Sequence, residues 1–483
     1  MIHAAPVFAG RCNARWCSRP PTQYRRRNSV HERNSIGADL VPPRHCDNES
    51  RRNAAPLTAG IPLAGTQTQG DNRANHNQHA GRRPMSSASL TPTAIDQDFS
   101  QATASGAVPG IVAVAANAED ILYEGAFGSR DLGTGAAMTP DSVFWIASMT
   151  KAVTCAGAMQ LVEQGRLSLD DPIGGILPEL ADIKVLDGFN AEGRPQLRPA
   201  RSPITLRQLM THTAGFCYDM WNGDMARYLE ATGTPGIISC RNAALRTPLA
   251  SDPGTRWEYG SNIDFVGKAV EAVSGQRLDA RLHDNILAPL GMSDTGFRIT
   301  DNMRARLVGM HARQPDGSLQ PMPFELEQDP EFHMGGGGLY GTAHDYIAFT
   351  QMILNRGRGN GEQILKPETV DLMGRNHIGE LEMTRLSSAV AFATNDVDLY
   401  PGMVKKWGLG FMINTETTAE GRSPGSLAWA GLGNTYFWID PARNVSGVIL
   451  MQVLPFADDK CLDAFARFER GVYAALDAPR QAA

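Results

Sequence analysis

A serine, a lysine three positions later and a distant tyrosine give this sequence the parts for covalent catalysis. The segment Phe144-Trp145-Ile146-Ala147-Ser148-Met149-Thr150-Lys151 leads into good helix formers as far as Gln164, with Gly165 placed as a C-terminal stop. Ser148 therefore opens a helix. At i and i+3 its hydroxyl and the Lys151 amine share one helical face, and backbone N–H groups at a helix start favour negative charge. A serine hydroxyl is a poor nucleophile until a neighbouring base takes its proton, and Lys151 is placed to assist. Ser-x-x-Lys also arises by chance on solvated helices, so a further partner is required.

Tyr259, in Trp257-Glu258-Tyr259-Gly260-Ser261-Asn262, is that partner. A phenol is protonated near neutral pH, but an adjacent ammonium favours the phenolate and makes it a usable base. The competing reading is a half-buried tyrosine anchored by its hydroxyl. The third element is Leu427-Ala428-Trp429-Ala430-Gly431-Leu432-Gly433. Small residues on a strand let a substrate lie close to the backbone, and a free N–H after Gly431 can help bind a developing oxyanion. Without that role, Trp429 is core or cleft wall.

Taken in this order and at these separations, Ser148-x-x-Lys151, Tyr259 and Trp429-Ala430-Gly431 resemble the three active-site elements of the penicillin-recognising serine hydrolases. More narrowly, the chain is similar to the class C β-lactamase-like esterases known as family VIII carboxylesterases. Supporting segments are Leu209-Met210-Thr211-His212-Thr213-Ala214-Gly215-Phe216 and Gly335 to Ala343, and the similarity spans roughly Thr91 to Leu476. The resemblance implies an α/β (α+β) fold of the β-lactamase/transpeptidase type: an antiparallel sheet flanked by helices plus an all-helical region, with the nucleophile in the cleft between. It also implies an oxyanion hole formed by the N–H groups of Ser148 and Leu432.

Two departures bear on substrate. The lactamase pattern has Lys-Thr/Ser-Gly on the third element, whose cation helps hold a β-lactam carboxylate; here Trp429 stands at the lysine position. The Tyr-x-Asn pattern is displaced too, with Ser261 at +2 and Asn262 one later, which weakens any role of Asn262 in orienting an amide. Both changes favour a neutral small-molecule ester. The expected site is Ser148, Lys151 and Tyr259, with Trp429, Gly431, Asn262 and Tyr340 shaping the substrate pocket and no metal or organic cofactor. A β-lactamase, a D-amino-acid amidase or an acyltransferase on the same scaffold remains open. So does a non-catalytic binding protein that kept the fold.

Three other features compete for function. Gly421-Arg422-Ser423-Pro424-Gly425 fits the Gly-x-Ser-x-Gly elbow, but Pro424 has no N–H to offer an oxyanion and no helix follows, so Ser423 reads as a surface turn. His212 invites a Ser-His-Asp triad, yet it lies in a polar turn where a packing histidine is expected. The glycines at 335–338 lack a following Gly-Lys-Ser/Thr and read as a place where backbone approaches the cleft.

These residues need elements to hold them. Ile95, Phe99 and Ala102 recur at helical spacing before Gly106 and Pro109-Gly110. Ile111 to Ala116 and Ile121 to Phe127 read as a hairpin, and Trp407 to Ile413, Leu427 to Ala430, Thr435 to Ile439 and Val445 to Val453 read as strands. A helix from about Leu462 to Leu476 follows. The β-rich ends enclose a mainly helical middle, roughly 150–340, which predicts one sheet completed by strands from both ends of the chain.

The 483 residues are 42% hydrophobic and 20% charged, enough for one large core or two modest ones, and the net charge of −6 suggests neither a nucleic-acid partner nor an acidic-lipid surface. No apolar run approaches the roughly 18 to 20 residues of a membrane span. Seven cysteines without a CxxC or a Cys/His pairing read as free thiols, which leans toward a reducing compartment. Residues 1–84 differ in texture: their Lys/Arg-type cations are all arginine, as in Arg25-Arg26-Arg27, with Pro, Asn, Gln and Gly throughout. Such a stretch cannot bury enough surface to fold, and Ala4 to Gly10 precedes its arginines instead of following them as a secretory signal would. It reads either as a disordered basic arm or as an extension upstream of a start at Met85, with residues 85–483 forming a cytoplasmic hydrolase. Oligomeric state is not legible.

Overall fold

The computed structural model describes residues 93–478. The expectations for residues 1–84, for a start at Met85 and for Cys12, Cys17 and Cys46 lie outside them. The predicted union of the two chain ends is present. Eight antiparallel strands run in the order Lys405–Trp407, Met412–Asn414, Leu427–Gly431, Thr435–Asp440, Val445–Leu450, Gly110–Ala116, Ile121–Asp131 and Ala136–Ala137. Val112 pairs with Leu450 where the C-terminal strands meet the N-terminal hairpin.

The central strands are buried along their whole length because helices cover both faces. Side-chain alternation shows which helix covers which face. On the Thr435–Asp440 strand, Tyr436 stacks on Phe465 (ring centroids 4.7 Å apart) and Trp438 meets Phe468 edge-on (5.3 Å), both from the closing helix Asp459–Asp477. Phe437, between them, packs against Tyr346 (5.1 Å) of the Ala343–Leu354 helix. The N-terminal helix Thr93–Ala104 joins the first of these layers through Phe99 and Phe468.

Some boundaries fall differently from the sequence pattern. The run from Trp407 to Ile413 is two strands, broken by a turn that the Gly408 N–H closes on the Phe411 carbonyl. The last strand leaves the sheet at Leu450, and Val453–Leu454 pairs in parallel with Met310–Arg313, Val453 opposite His311. The middle carries the helices Thr150–Glu163 and Asn262–Ser274 and also two hairpins, Lys184–Phe189 with Pro195–Pro199 and Met310–Arg313 with Leu319–Met322, which hydropathy did not signal. No helix among the described residues is long and apolar enough to cross a membrane. Cys155, Cys217, Cys240 and Cys461 are free and buried.

Candidate active site

The backbone leading to Ser148 is held from three sides. Phe144–Trp145 pairs with Tyr340–Gly341, and the Ile146 N–H donates to the Leu339 carbonyl at 3.0 Å. Ala147 then takes a positive φ of 45°, a conformation that costs a non-glycine residue about 1–2 kcal/mol. The Thr150 hydroxyl holds it there by donating to the Ala147 carbonyl (2.6 Å) while accepting from the Leu339 N–H (3.1 Å). A single 3-10 turn over Ala147–Met149 follows and runs straight into the Thr150–Glu163 helix. Ser148 is left half-buried at the mouth of this helix.

Lys151 is fully buried, and its Nζ donates to Ser148 Oγ at 2.9 Å, to the Gly336 carbonyl at 2.6 Å and to the Tyr218 hydroxyl at 3.3 Å. The same ammonium sits 4.7 Å from the centre of the Tyr259 ring. The indole N–H of Trp429 donates to the Tyr259 hydroxyl at 2.9 Å, so the phenol oxygen is held as an acceptor. Serine and lysine from one stretch of sequence, with tyrosine and tryptophan from two others, thus form one connected cluster.

Gly431 ends the Trp429 strand where a side chain could not. A Cβ there would lie 2.4 Å from the Ile146 carbonyl and 2.3 Å from the Thr435 hydroxyl. Leu432, next in sequence, lines a narrow cleft of about 30 Å³ together with Ser148, Tyr218, Met220, Trp221, Ile238 and Met334. Two roomier hollows, about 520 and 590 Å³, are lined by other residues, and neither contains a serine.

Two expected pocket residues point inward. The Asn262 amide nitrogen is divided among His212 Nδ1 (3.1 Å), the Phe216 carbonyl (2.9 Å) and the Glu258 carbonyl (3.1 Å), so it ties the Tyr259 turn to the Phe216 segment; its Oδ1 has no partner among the described residues, but the side chain is buried away from the cleft. Tyr340 is buried and its hydroxyl accepts the Leu326 N–H at 2.9 Å, so it braces the strand beneath Ser148 and does not line the cleft. His212 is buried behind Tyr259, ring centroids 4.7 Å apart, and burial with the nearby Lys151 charge drives its pKa well below the usual value. A neutral imidazole on Asn262 matches a packing role. Ser423 lies in the loop between the Met412–Asn414 and Leu427–Gly431 strands with its N–H on Asp440, and no helix follows it.

The sequence pattern did not single out Tyr218 or Asp264. Burial, reinforced by the Asp264 charge, keeps the Tyr218 phenol protonated far above its usual range, so it is a neutral neighbour of Lys151. Asp264 was detectable as a lone carboxylate in the run Ile263-Asp264-Phe265-Val266, which is buried throughout.

The family model described as Beta-lactamase matches residues 95–471. The chain belongs to the β-lactamase family. Within it, this β-lactamase-family protein is 31% identical over 396 residues to monacolin J acid methylbutanoyltransferase of Aspergillus terreus, covering 78% of this chain and 94% of that one. It is 32% identical over 395 residues to lovastatin esterase of Penicillium rubens, covering 78% and 98%. The solved structure of unliganded simvastatin synthase from Aspergillus terreus superposes with a TM-score of 0.69 at 30% identity, covering 80% of this chain and 98% of that one. The fold is therefore that of the β-lactamases and transpeptidases, and the chain is an enzyme of the serine hydrolase and acyltransferase group within that family.

Proposed function

We propose that the protein is a serine carboxylesterase that cleaves small, uncharged esters through an acyl-enzyme on Ser148. The observation that carries the reading is the 2.9 Å contact between Lys151 Nζ and Ser148 Oγ at the edge of an apolar cleft. Tyr259, acting as a phenolate beside the Lys151 ammonium, takes the Ser148 proton as Oγ attacks the ester carbonyl, and the N–H groups of Ser148 and Leu432 hold the tetrahedral oxyanion. The proton returns to the departing alcohol, which leaves acyl-Ser148. Water activated by Tyr259 then releases the acid.

The substrate class follows from the cleft lining. Trp429, expected with Gly431 to shape the pocket, is buried and like Gly431 is not part of the cleft wall; it offers an indole N–H committed to Tyr259 where the lactamase pattern has a cation, and the walls themselves are mainly apolar. Neutral acyl groups are favoured over the carboxylates of β-lactams. A second reading, transfer of the acyl group to an alcohol, is favoured by the same lining, since Trp145, Met220, Trp221, Ile238 and Met334 shield an acyl-serine from water. The resemblance to a methylbutanoyltransferase and to an esterase supports both fates of one intermediate.

The test is turnover of p-nitrophenyl acetate and butyrate, with and without an added alcohol, beside nitrocefin and a D-alanyl amide. Ester turnover, covalent labelling by a fluorophosphonate and loss of both in Ser148→Ala are expected. Full activity in Ser148→Ala rejects the assignment, and failure of the wild type to be labelled points to a non-catalytic relative. Product partitioning between acid and new ester decides between water and alcohol.

A further inference from the structure

Asp264 is a buried ionisable group that the mechanism above leaves idle. It lies in the first turn of the Asn262–Ser274 helix with no exposed surface. Its Oδ1 accepts the Gly336 N–H at 2.9 Å. Its Oδ2 faces the Tyr218 hydroxyl, which can donate to the carboxylate, and has no other partner among the described residues. The carbonyl of the same Gly336 accepts the Lys151 ammonium at 2.6 Å. One glycine therefore has its N–H on the carboxylate and its C=O on the ammonium. A Cβ on Gly336 would stand 2.7 Å from Asp264 Oδ2, so a larger residue there would push the carboxylate aside.

We propose that Asp264 is a positioning residue for Lys151, fixing the Gly336 carbonyl and supplying counter-charge at one remove so that the ammonium stays aimed at Ser148. The inference rests on Ser148 being the nucleophile. Lys151 makes no ion pair among the described residues, and a carboxylate bonded directly to it would compete with Ser148 for its protons. A carboxylate one residue away balances the charge and leaves the Nζ–H bond to Ser148 intact. For stability alone the arrangement is a poor one, because a carboxylate with no exposed surface and no direct cation is costly to keep charged.

The groups facing Asp264 are Lys151 from the Thr150–Glu163 helix, the Tyr218 hydroxyl, the Cys240 thiol and the Gly336 N–H. Burial pushes its carboxyl up to about 6, with Lys151 and the Gly336 N–H opposing the rise. The folded chain thus binds this proton more tightly than the unfolded one. Stability is lost as pH rises from about 4 to 6, and above that window the charge is carried at a cost.

The deciding experiment compares Asp264→Asn with wild type and with Ser148→Ala on a short p-nitrophenyl ester between pH 5 and 9, with melting curves at pH 7. The wild type is expected to show an inflection of kcat/KM near pH 6. Asp264→Asn should lose that inflection and at least 10-fold in kcat, with KM within about threefold and Tm equal to or above wild type. Three results overturn the proposal: wild-type kcat and pH profile in Asp264→Asn, no inflection between pH 5 and 7 in the wild type, or an asparagine chain that melts well below wild type or fails to fold. Turnover retained by Ser148→Ala removes the nucleophile and the inference with it, whereas an inactive Ser148→Ala beside a fully active Asp264→Asn removes the inference alone.

Discussion

The indole N–H of Trp429 donates to the hydroxyl oxygen of Tyr259 across 2.9 Å, in a space sealed by Trp407 and His212. Where the lactamase pattern sets a cation against a substrate carboxylate, this chain sets a neutral donor against its own phenol. The third motif therefore serves Tyr259. Trp429→Phe keeps the ring packing and removes the donor. It should lower kcat for a short ester by about 10-fold, of the order of one buried hydrogen bond, with KM little changed. Because the two residues act as a unit, Tyr259→Phe combined with Trp429→Phe should be no slower than Tyr259→Phe alone. Additive losses would show that the bond does not matter to turnover.

Two phenols neighbour Lys151, and their surroundings separate their roles. Tyr218 is held protonated by burial and by Asp264, so it can only accept from the ammonium and shape the cleft. Tyr259→Phe should cost on the order of 10² to 10⁴ in kcat, the range for a general base. Tyr218→Phe should cost about 10-fold, since it removes one 3.3 Å acceptor from Lys151. Steady-state rates on p-nitrophenyl butyrate decide this, and a larger loss from Tyr218 would exchange the two assignments.

Gly431 couples the third motif to the Ser148 loop through space that is already full. Gly431→Ala places a methyl against the Ile146 carbonyl and the Thr435 hydroxyl, and both are fixed by backbone pairing. Overpacking of this kind costs about 1–3 kcal/mol. Moving Ile146 also moves Ser148, two residues on. Urea titration should show the stability loss, and fluorophosphonate labelling should slow by more than the unfolded fraction explains.

The parts of this molecule that were legible in its sequence share one property: local pattern and global role agree. Short strand-like runs at 111–116, 121–127, 427–430 and 435–439 became strands within a residue or a few of the expected limits, and the helix formers after Ser148 became the Thr150–Glu163 helix, which sets Lys151 against the serine. What was not legible depends on three-dimensional closure. Asn262 looked available beside Tyr259, but the fold brings Phe216 and His212 onto its amide. Tyr340 looked like a cleft wall from its glycine-rich neighbourhood, but its strand pairs beneath Trp145. Tyr218 and Asp264 carry no motif of their own, and they meet Lys151 only after residues 218, 264 and 336 converge. The turn at Gly408–Phe411 was hidden because Trp407, Leu409, Phe411 and Ile413 keep strand-like alternation through it.

The strand that carries Trp429 is tied at its far end by a buried ion pair, and this gives the last prediction. Arg422, with no exposed surface, donates through Nη2 to Glu469 Oε2 at 2.6 Å and through Nε to Oε1 at 3.1 Å. The Thr418 and Tyr400 hydroxyls supply the remaining hydrogen bonds to that carboxylate. The pair clamps the loop between the Met412–Asn414 and Leu427–Gly431 strands to the closing helix. Arg422→Met leaves Glu469 buried without its counter-ion and should destabilise the fold by about 3–5 kcal/mol, whereas Arg422→Met with Glu469→Leu removes both charges and should recover most of that loss. Urea unfolding of the two variants measures the difference. The double variant should keep near wild-type kcat, because Tyr259 and Trp429 are held together by their own bond and by Trp407 packing, not by the clamp. A double variant that is stable but slow would mean that the clamp also sets the position of the Trp429 strand.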